Sequence, residues 1–164
     1  MPLTIPQQVT LKAFVLADPI LSLKPATAQG AYEIAAALEA PASPAWVVWR
    51  NNVTSEEIGN AWVGTDIDGM TALNMQRLQL MLESSPQGTY DMGRSDRRSG
   101  FENPFGSSAS NASRVSMRAV WKRSASRLEK LFSVGTGTDA TPANMVVVGS
   151  IGYNEVGAAM GWSF

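Results

Sequence analysis

Apolar side chains recur at the spacing of an α-helix along much of the chain. The first stretch, QQVTLKAFVLADP, carries Val9, Leu11, Phe14 and Val15 on one broad face and ends at an Asp-Pro pair. An alanine-rich run at 31–40 follows and stops before a proline, because a residue that precedes proline avoids helical geometry. Methionines and leucines at 70–85 repeat the same spacing. Each of these stretches predicts a helix.

The strongest helical pattern covers residues 112–134, ASRVSMRAVWKRSASRLEKLFSV. Apolar residues line one face of this segment, and small Ser124 fills the gap in that stripe. Arg114, Arg118 and Lys122 step by four along another face. We therefore predict one continuous helix here.

Shorter segments between these patterns carry local signals for structure. Ser43-Pro44 is expected to start a short helix over 44–49. The spacing of Thr54 and Glu57 fits a capping box and predicts another short helix. A third is expected at 95–105, with its first serine as the cap, whereas GTDIDG at 64–69 is expected to form a loop.

The pattern changes from helical to extended after residue 134. Gly135 and Gly137 supply a turn, and the run ANMVVVGSIGY combines β-branched residues with flanking glycine, which is typical of a strand. The predicted fold is therefore mainly α, a helical bundle of about five to six helices over 1–134. A glycine hinge and an extended C-terminal β arm or hairpin follow over 135–164.

The composition excludes several classes of chemistry. The 164-residue chain has no cysteine and no histidine, so disulfides, Cys/His zinc sites, Ser-His-Asp triads and histidine acid–base catalysis are ruled out. Its start lacks the segments of a signal peptide, and no apolar run approaches the ~20 residues that span a bilayer. We expect a protein that works without crossing a membrane. Only 16% of its residues are charged, which leaves room for surface buried against partners.

Charge is distributed unevenly along the chain. Residues 1–93 carry four basic and nine acidic side chains, whereas residues 94–130 carry nine basic and three acidic ones. Such a split suits head-to-tail stacking of subunits or contact with an acidic partner or nucleic acid, although a solvated helix face explains it equally well. The candidate DNA-facing or inter-subunit basic face consists of Arg114, Arg118, Lys122, Arg123, Arg127 and Lys130.

Two short motifs resemble ligand-binding loops but lack the required context. The glycines at 135 and 137 follow a helix and precede a strand, the reverse of a dinucleotide-binding loop, and the third glycine is missing. A phosphate there would also meet the negative end of the helix dipole. In GTDIDG, Asp66 and Asp68 could ligate calcium, but the further acidic positions of a calcium loop are absent.

No catalytic constellation emerges from the remaining acidic and hydroxyl residues. Glu56 and Glu57 diverge by about 100° on a helix and do not form an acid–base pair. We therefore expect no enzyme activity, no cofactor and no metal. The competing hypotheses are a small enzyme that uses carboxylates or a serine, and a nucleic-acid-binding module that uses the basic helix.

The C-terminal half resembles a group of small virion-associated proteins of long-tailed bacteriophages. The shared features are a lysine-arginine pair, an Arg-x-Glu-Lys-Leu segment, a GTGS-like loop before an extended strand and a Tyr-x-x-Val ending. Here they are carried by Lys122, Arg123, Arg127, Glu129, Lys130, Leu131, Gly135, Gly137, Gly149, Tyr153 and Val156, with GTGT in place of GTGS. Residues 11–53 are also similar to that group, and the match is weakest at about 64–112.

The resemblance implies a neck protein that connects head and tail. Its expected role is that of a head-to-tail adaptor, a mostly helical structural protein that forms a homo-oligomeric ring beneath the portal. The ring would bind the portal and the next neck or tail protein and let DNA pass with non-specific contact. A stopper or a tail terminator is the alternative within the neck. Such a protein would be assembled in the host cytoplasm and remain in the virion.

An extended C-terminal arm would suit such a ring, because it can add a strand to a neighbouring subunit. The apolar residues of 138–164 are too few and too extended to fold alone, so we expect them to bury against a partner. The residues of this predicted interface are Met145, Val146, Val147, Val148, Ile151, Tyr153, Trp162 and Phe164.

Overall fold

The computed structural model describes residues 3–146 and 149–164. It is mainly α, with 53% of the residues in helices. Its helices are α1 Ile5–Ala17, α2 Ala28–Glu39, α3 Ser55–Asn60, α4 Gly64–Asp68, α5 Ala72–Glu83, α6 Ser95–Glu102, α7 Ala112–Val120, α8 Arg127–Phe132 and α9 Tyr153–Met160. The strands are β1 Val47–Trp49, β2 Val53–Thr54, β3 Thr89–Tyr90, β4 Lys122–Ser124, β5 Ser133–Val134 and β6 Asn144–Met145. They form two-stranded sheets that pair β1 with β4, β2 with β3 and β5 with β6.

The chain forms two compact units. The first unit comprises Met1–Trp46, Ser124–Gly137 and Met145–Phe164, and the second comprises Val47–Arg123 and Thr138–Asn144. The glycine loop and α9 therefore belong to the same unit as α1 and α2. The predicted division between residues 134 and 135 is not among the boundaries of these units.

Four helices, α1, α2, α8 and α9, surround the core of the first unit. Leu11 and Val15 of α1 fall one turn apart and are fully buried, as are Ile34 and Leu38 of α2. Val156 of α9 is fully buried in the same core, and α9 packs mainly against α1 and α2. The C-terminal helix thus completes a core that the first two helices begin.

The second unit has its own core, built from α3, α5, α6 and α7 with the strands around them. Trp121, Phe101 and Leu78 are fully buried there. The ring of Tyr90 meets Phe101 edge-on at 5.1 Å between centroids. β2 runs antiparallel to β3, which places Val53 opposite Tyr90 and fixes this strand pair over the core.

Several sequence predictions are confirmed. The predicted helices at the start of the chain, around 31–40 and within 70–85 correspond to α1, α2 and α5. The capping box of α3 is also present, since Glu57 donates its backbone N–H to Thr54 Oγ1 at 3.1 Å and accepts from the Thr54 N–H at 2.8 Å.

The prediction of one helix over 112–134 is wrong. α7 ends at Val120, because Trp121 is buried in the core of the second unit and its carbonyl accepts a hydrogen bond from the Arg50 N–H at 2.7 Å. The chain then forms β4 before α8 begins at Arg127. Ser126 caps this new helix by accepting from the Glu129 N–H at 3.2 Å.

Three shorter predictions are also wrong. Residues 47–49 form β1 instead of a helix, because Val47 and Trp49 exchange backbone hydrogen bonds with Ala143 at 2.9 and 3.0 Å. GTDIDG contains the short helix α4 instead of a loop. The helix predicted at 95–105 is present as α6, but the predicted cap is wrong, since Ser95 is the first residue of the helix and Arg94 occupies the capping position before it.

Candidate functional site

The glycine loop of residues 135–137 packs against a tryptophan of the first unit. Gly137 has a φ of +64°, and a Cβ there would lie 2.6 Å from Trp46 Nε1 and closer still to two carbons of the indole. Gly135 also has a positive φ, +131°. A side chain at residue 137 would meet both an unfavourable backbone conformation and a rigid ring. The loop is thus a packing element on Trp46.

The indole of Trp46 is held in place by the neighbouring helix α8 and the residue after it. Trp46 Nε1 donates a hydrogen bond to Ser133 Oγ at 2.8 Å. Lys130 lies with its ammonium 5.3 Å from the centroid of the same ring and donates to the Pro44 carbonyl at 3.2 Å. The ammonium of Lys130 is therefore occupied by groups of its own unit.

Arg127 is likewise engaged within the first unit. Its guanidinium pairs with the carboxylate of Asp18 and lies 5.5 Å from the centroid of Phe14. The Leu21 backbone N–H and the Arg127 guanidinium hold the pKa of Asp18 below its usual value. This pair joins the start of α8 to the end of α1.

In the second unit, Arg114 and Arg118 converge on a single buried carboxylate. Glu102 accepts from Arg114 Nη2 at 2.7 Å and from Arg118 Nε and Nη2 at 2.6 and 2.7 Å. Burial opposes the ionisation of Glu102, but the hydrogen bonds from Arg118 and Arg114 outweigh it and hold the pKa below its usual value. The two arginines therefore stabilise the packing of α7 on α6.

The six residues of the predicted basic face do not lie on one helix. Arg114 and Arg118 are on α7, Lys122 and Arg123 are in β4, and Arg127 and Lys130 are on α8. Lys122 pairs with Asp139 Oδ1 at 2.7 Å. The first four belong to the second unit and the last two to the first unit.

The residues of the predicted C-terminal interface have different environments. Ile151 is buried in the core of the first unit, and Trp162 packs against that core half-buried. Met145 lies in β6, and Val147 and Val148 lie outside the described residues. Val146, Tyr153 and Phe164 are exposed, the last two with their rings 6.1 Å apart. The exposed residues are the part of this set that a partner could still cover.

Helix α1 exposes an apolar face that the sequence analysis did not identify. Ile5, Val9 and Leu16 are 77%, 64% and 56% exposed. On a helical wheel they lie within about 40° of one another, on the side away from Leu11 and Val15. The expectation that Val9 shares the buried face is therefore wrong. Exposed Ile20 and Leu23 follow directly after the helix.

One charged side chain, that of Lys12, lies on the same side of α1 as these exposed apolar residues and contacts another part of the first unit. Lys12 also falls on this side of α1, and its ammonium donates to the carbonyl of Met160 at the end of α9, at 3.4 Å. We call Ile5, Val9, Leu16, Ile20 and Leu23 the outer apolar face. The sequence of α1 carries apolar residues on every side of the helix. A helix of that kind is normally covered on all sides, so this pattern was the sequence signal for the outer apolar face.

The part of the chain that the structure describes offers little support for a metal site or a membrane-spanning helix. Within residues 3–146 and 149–164, no group of three or more acidic residues is placed to hold a metal ion. Asp66, a candidate calcium ligand, instead accepts from the Ser113 N–H and hydroxyl at 2.8 and 2.7 Å. None of the described helices has the length and apolar character needed to cross a bilayer.

Comparison with known proteins gives no relative for this chain: no family model, no curated protein and no solved structure matches it.

Proposed function

We propose that this chain is a structural virion protein of a tailed phage, a head-to-tail adaptor that assembles as a homo-oligomeric ring. The ring joins the portal to the tail and lets DNA pass, and the protein is not an enzyme. The resemblance of its C-terminal half to phage neck proteins suggests this role. The observation that carries the assembly part of the proposal is the outer apolar face.

The hydrophobic effect favours burial of the outer apolar face against a partner. Fully burying a valine, leucine or isoleucine side chain stabilises by about 1.5–3 kcal/mol. More than half of each of Ile5, Val9 and Leu16 is exposed, so a partner that covered them would gain about 1 kcal/mol or more from each. These side chains share one side of α1 with the exposed Lys12, and exposed apolar side chains grouped in this way suit an interaction site.

The proposal also specifies which parts of the protein contact neighbouring molecules in the assembled particle. The helices form a bundle, and the exposed residues of the segment after Gly135 contact a neighbouring subunit, whereas α9 itself stays packed on α1 and α2. The exposed side chains of Val146, Tyr153 and Phe164 are the ones available for that contact. In the particle, the protein lies in the neck after assembly in the host cytoplasm, and any contact with passing DNA is non-specific.

The experiment that tests assembly introduces charge into the outer apolar face. We expect the purified protein to form a defined oligomer, measured by sedimentation velocity and multi-angle light scattering, and to appear as rings by electron microscopy. Val9→Lys combined with Leu16→Lys should return the protein to monomers, because lysine ammonium groups cannot be buried in an apolar contact without a large desolvation penalty.

A control places a single lysine elsewhere on the same helix, and Val9→Lys alone is its matched counterpart. Thr10 is exposed and lies on α1 about 100° from Val9, so Thr10→Lys should leave the oligomer intact. A monomeric wild-type protein that also fails to bind the purified portal protein would refute the proposal. An oligomer that survives the double substitution would show that the outer apolar face does not hold it together.

A further inference from the structure

The second unit contains a cleft of about 310 Å³ whose lining is rich in hydrogen-bond donors. Three cationic side chains, two hydroxyls and one aromatic ring contribute to it: Arg98, Arg118, Lys122, Ser95, Ser99 and Trp49. They come from α6, α7 and the strands β1 and β4. This cleft plays no part in the proposed ring contacts of α1.

Arg98 is a half-buried cation that forms no ion pair with the described residues. Its guanidinium carbon lies 4.3 Å from the centroid of Trp49, and Nη1 donates to the Met92 carbonyl. Among the described residues, no carboxylate lies within ion-pair distance of it. Burial lowers the pKa of Arg98, although the charges of nearby carboxylates oppose this. A desolvated cation of this kind is stabilised by an anion that enters the cleft.

The two other cations keep part of their binding capacity. Arg118 uses Nε and Nη2 for Glu102, which leaves Nη1 without a partner among the described residues. Lys122 pairs with the carboxylate of Asp139, whose side chain is 80% exposed, and also donates to the Asp139 carbonyl at 3.1 Å. Solvent screens the exposed carboxylate, so this ion pair contributes little and another anion can replace it. Within the lining of the cleft, the three cations Arg98, Arg118 and Lys122 outnumber the carboxylates of Glu102 and Asp139 by one.

We propose that this cleft binds a phosphoryl group, whether free phosphate or a phosphate of DNA. A phosphate anion complements the net positive charge of this lining. Its tetrahedral oxygens can also accept from guanidinium, ammonium and hydroxyl donors on several sides at once, whereas a planar carboxylate presents only two oxygens. An arginine held over an aromatic ring, as Arg98 is over Trp49, is pre-organised for such a bidentate contact.

The test titrates inorganic phosphate into the full chain by isothermal calorimetry at constant ionic strength, with acetate as the comparison anion. We expect phosphate to bind and acetate to show no comparable binding. Arg98→Gln and Lys122→Gln should each weaken phosphate binding about tenfold or more, because each removes a charge-assisted hydrogen bond. Arg77→Gln is the matched control, since Arg77 is an exposed arginine of α5 that bonds Asn74 outside the cleft.

A second arm identifies the source of the phosphoryl group. A DNA duplex of about 20 base pairs is titrated against the same variants by fluorescence anisotropy. Weaker binding of both ligands by Arg98→Gln assigns DNA phosphates to the cleft, and an effect on phosphate alone assigns free phosphate. If Arg98→Gln does not fold, Lys122→Gln decides the question, because its partner is an exposed side chain. Equal binding of acetate and phosphate, or unchanged phosphate binding in the folded cleft variants, would overturn the proposal.

Discussion

Replacing Gly137 with alanine tests how the glycine loop holds the first unit together. The added Cβ would lie 2.6 Å from Trp46 Nε1 and closer to Cδ2 and Cε2, well inside van der Waals contact. The φ of +64° at this residue is also unfavourable for an alanine. The backbone strain and the displaced ring are separate effects, and each can be measured.

The expected loss of unfolding free energy is about 2–4 kcal/mol. An alanine in the left-handed region costs about 1–2 kcal/mol. Moving the indole breaks its 2.8 Å hydrogen bond to Ser133 Oγ, worth about 1 kcal/mol. The contact with the Lys130 ammonium at 5.3 Å contributes about 0.5–1 kcal/mol more. The smaller entropy of the unfolded alanine chain offsets about 0.4–1 kcal/mol of this sum.

Chemical denaturation followed by tryptophan fluorescence measures the change, and Gly161→Ala is the control. Gly161 has a φ of +76°, but a Cβ there would meet nothing within 4 Å, so its substitution reports the backbone strain of about 1–2 kcal/mol less the same unfolded-chain offset, a net cost of about 0–1.6 kcal/mol. In a Trp46→Ala background, Gly137→Ala should cost no more than this. If Gly137→Ala costs no more than Gly161→Ala in the wild-type background, the packing role of the loop is refuted.

Three further outcomes follow from buried polar groups of the second unit. Glu102→Gln should lower the unfolding free energy by about 3–5 kcal/mol, because it leaves the buried charge of Arg114 without its carboxylate; in the same denaturation assay, exposed Glu83→Gln should be near neutral. Because the folded-state pKa of Glu102 is depressed, its contribution is present above the unfolded pKa and is lost as the pH falls through the folded value. The wild-type protein should therefore lose more stability than Glu102→Gln in acid titrations below about pH 4. Ser113→Ala should cost about 1–3 kcal/mol by thermal unfolding, because it leaves the Val63 N–H without its 2.8 Å acceptor; an unchanged melting temperature would contradict this.

The parts of the fold that the sequence predicts are those set by neighbouring residues. α1, α2 and α5 have apolar residues at helical spacing and stop signals close by, and the capping box of α3 needs only Thr54 and Glu57. Each of these signals lies within one helix and does not depend on what packs against it. The prediction could therefore be made without knowing the tertiary structure.

The break between α7 and α8 depends on residues far away in the sequence. Lys122–Ser124 contain no β-branched residue and continue a helical pattern, yet they form β4 beside β1. The decisive contact is the hydrogen bond from the Arg50 N–H to the carbonyl of Trp121. Such tertiary pairing overrides weak local preference, and no window of neighbouring residues reveals it.

The predicted basic face failed for the same reason, since its spacing assumed an unbroken helix. The spacing of the basic residues also does not reveal which carboxylate pairs with each of them. Glu102 lies 12 and 16 residues before Arg114 and Arg118, and Asp18 lies 109 residues before Arg127. The cleft at Arg98 was missed because Trp49, Ser95 and Lys122 come together only in the folded chain.

Four of the residues that carry the resemblance to phage neck proteins have clear structural roles within this chain. Gly137 packs on Trp46, Arg127 pairs with Asp18, Glu129 caps α8, and Val156 fills the core of the first unit. A motif made of such residues specifies an architecture, and it does not specify which molecules bind to it. The choice of neighbours in the proposed ring must then depend on exposed positions, most of them outside the motif, which is why the outer apolar face, and not the glycine loop, is the place to substitute when the assembly is tested.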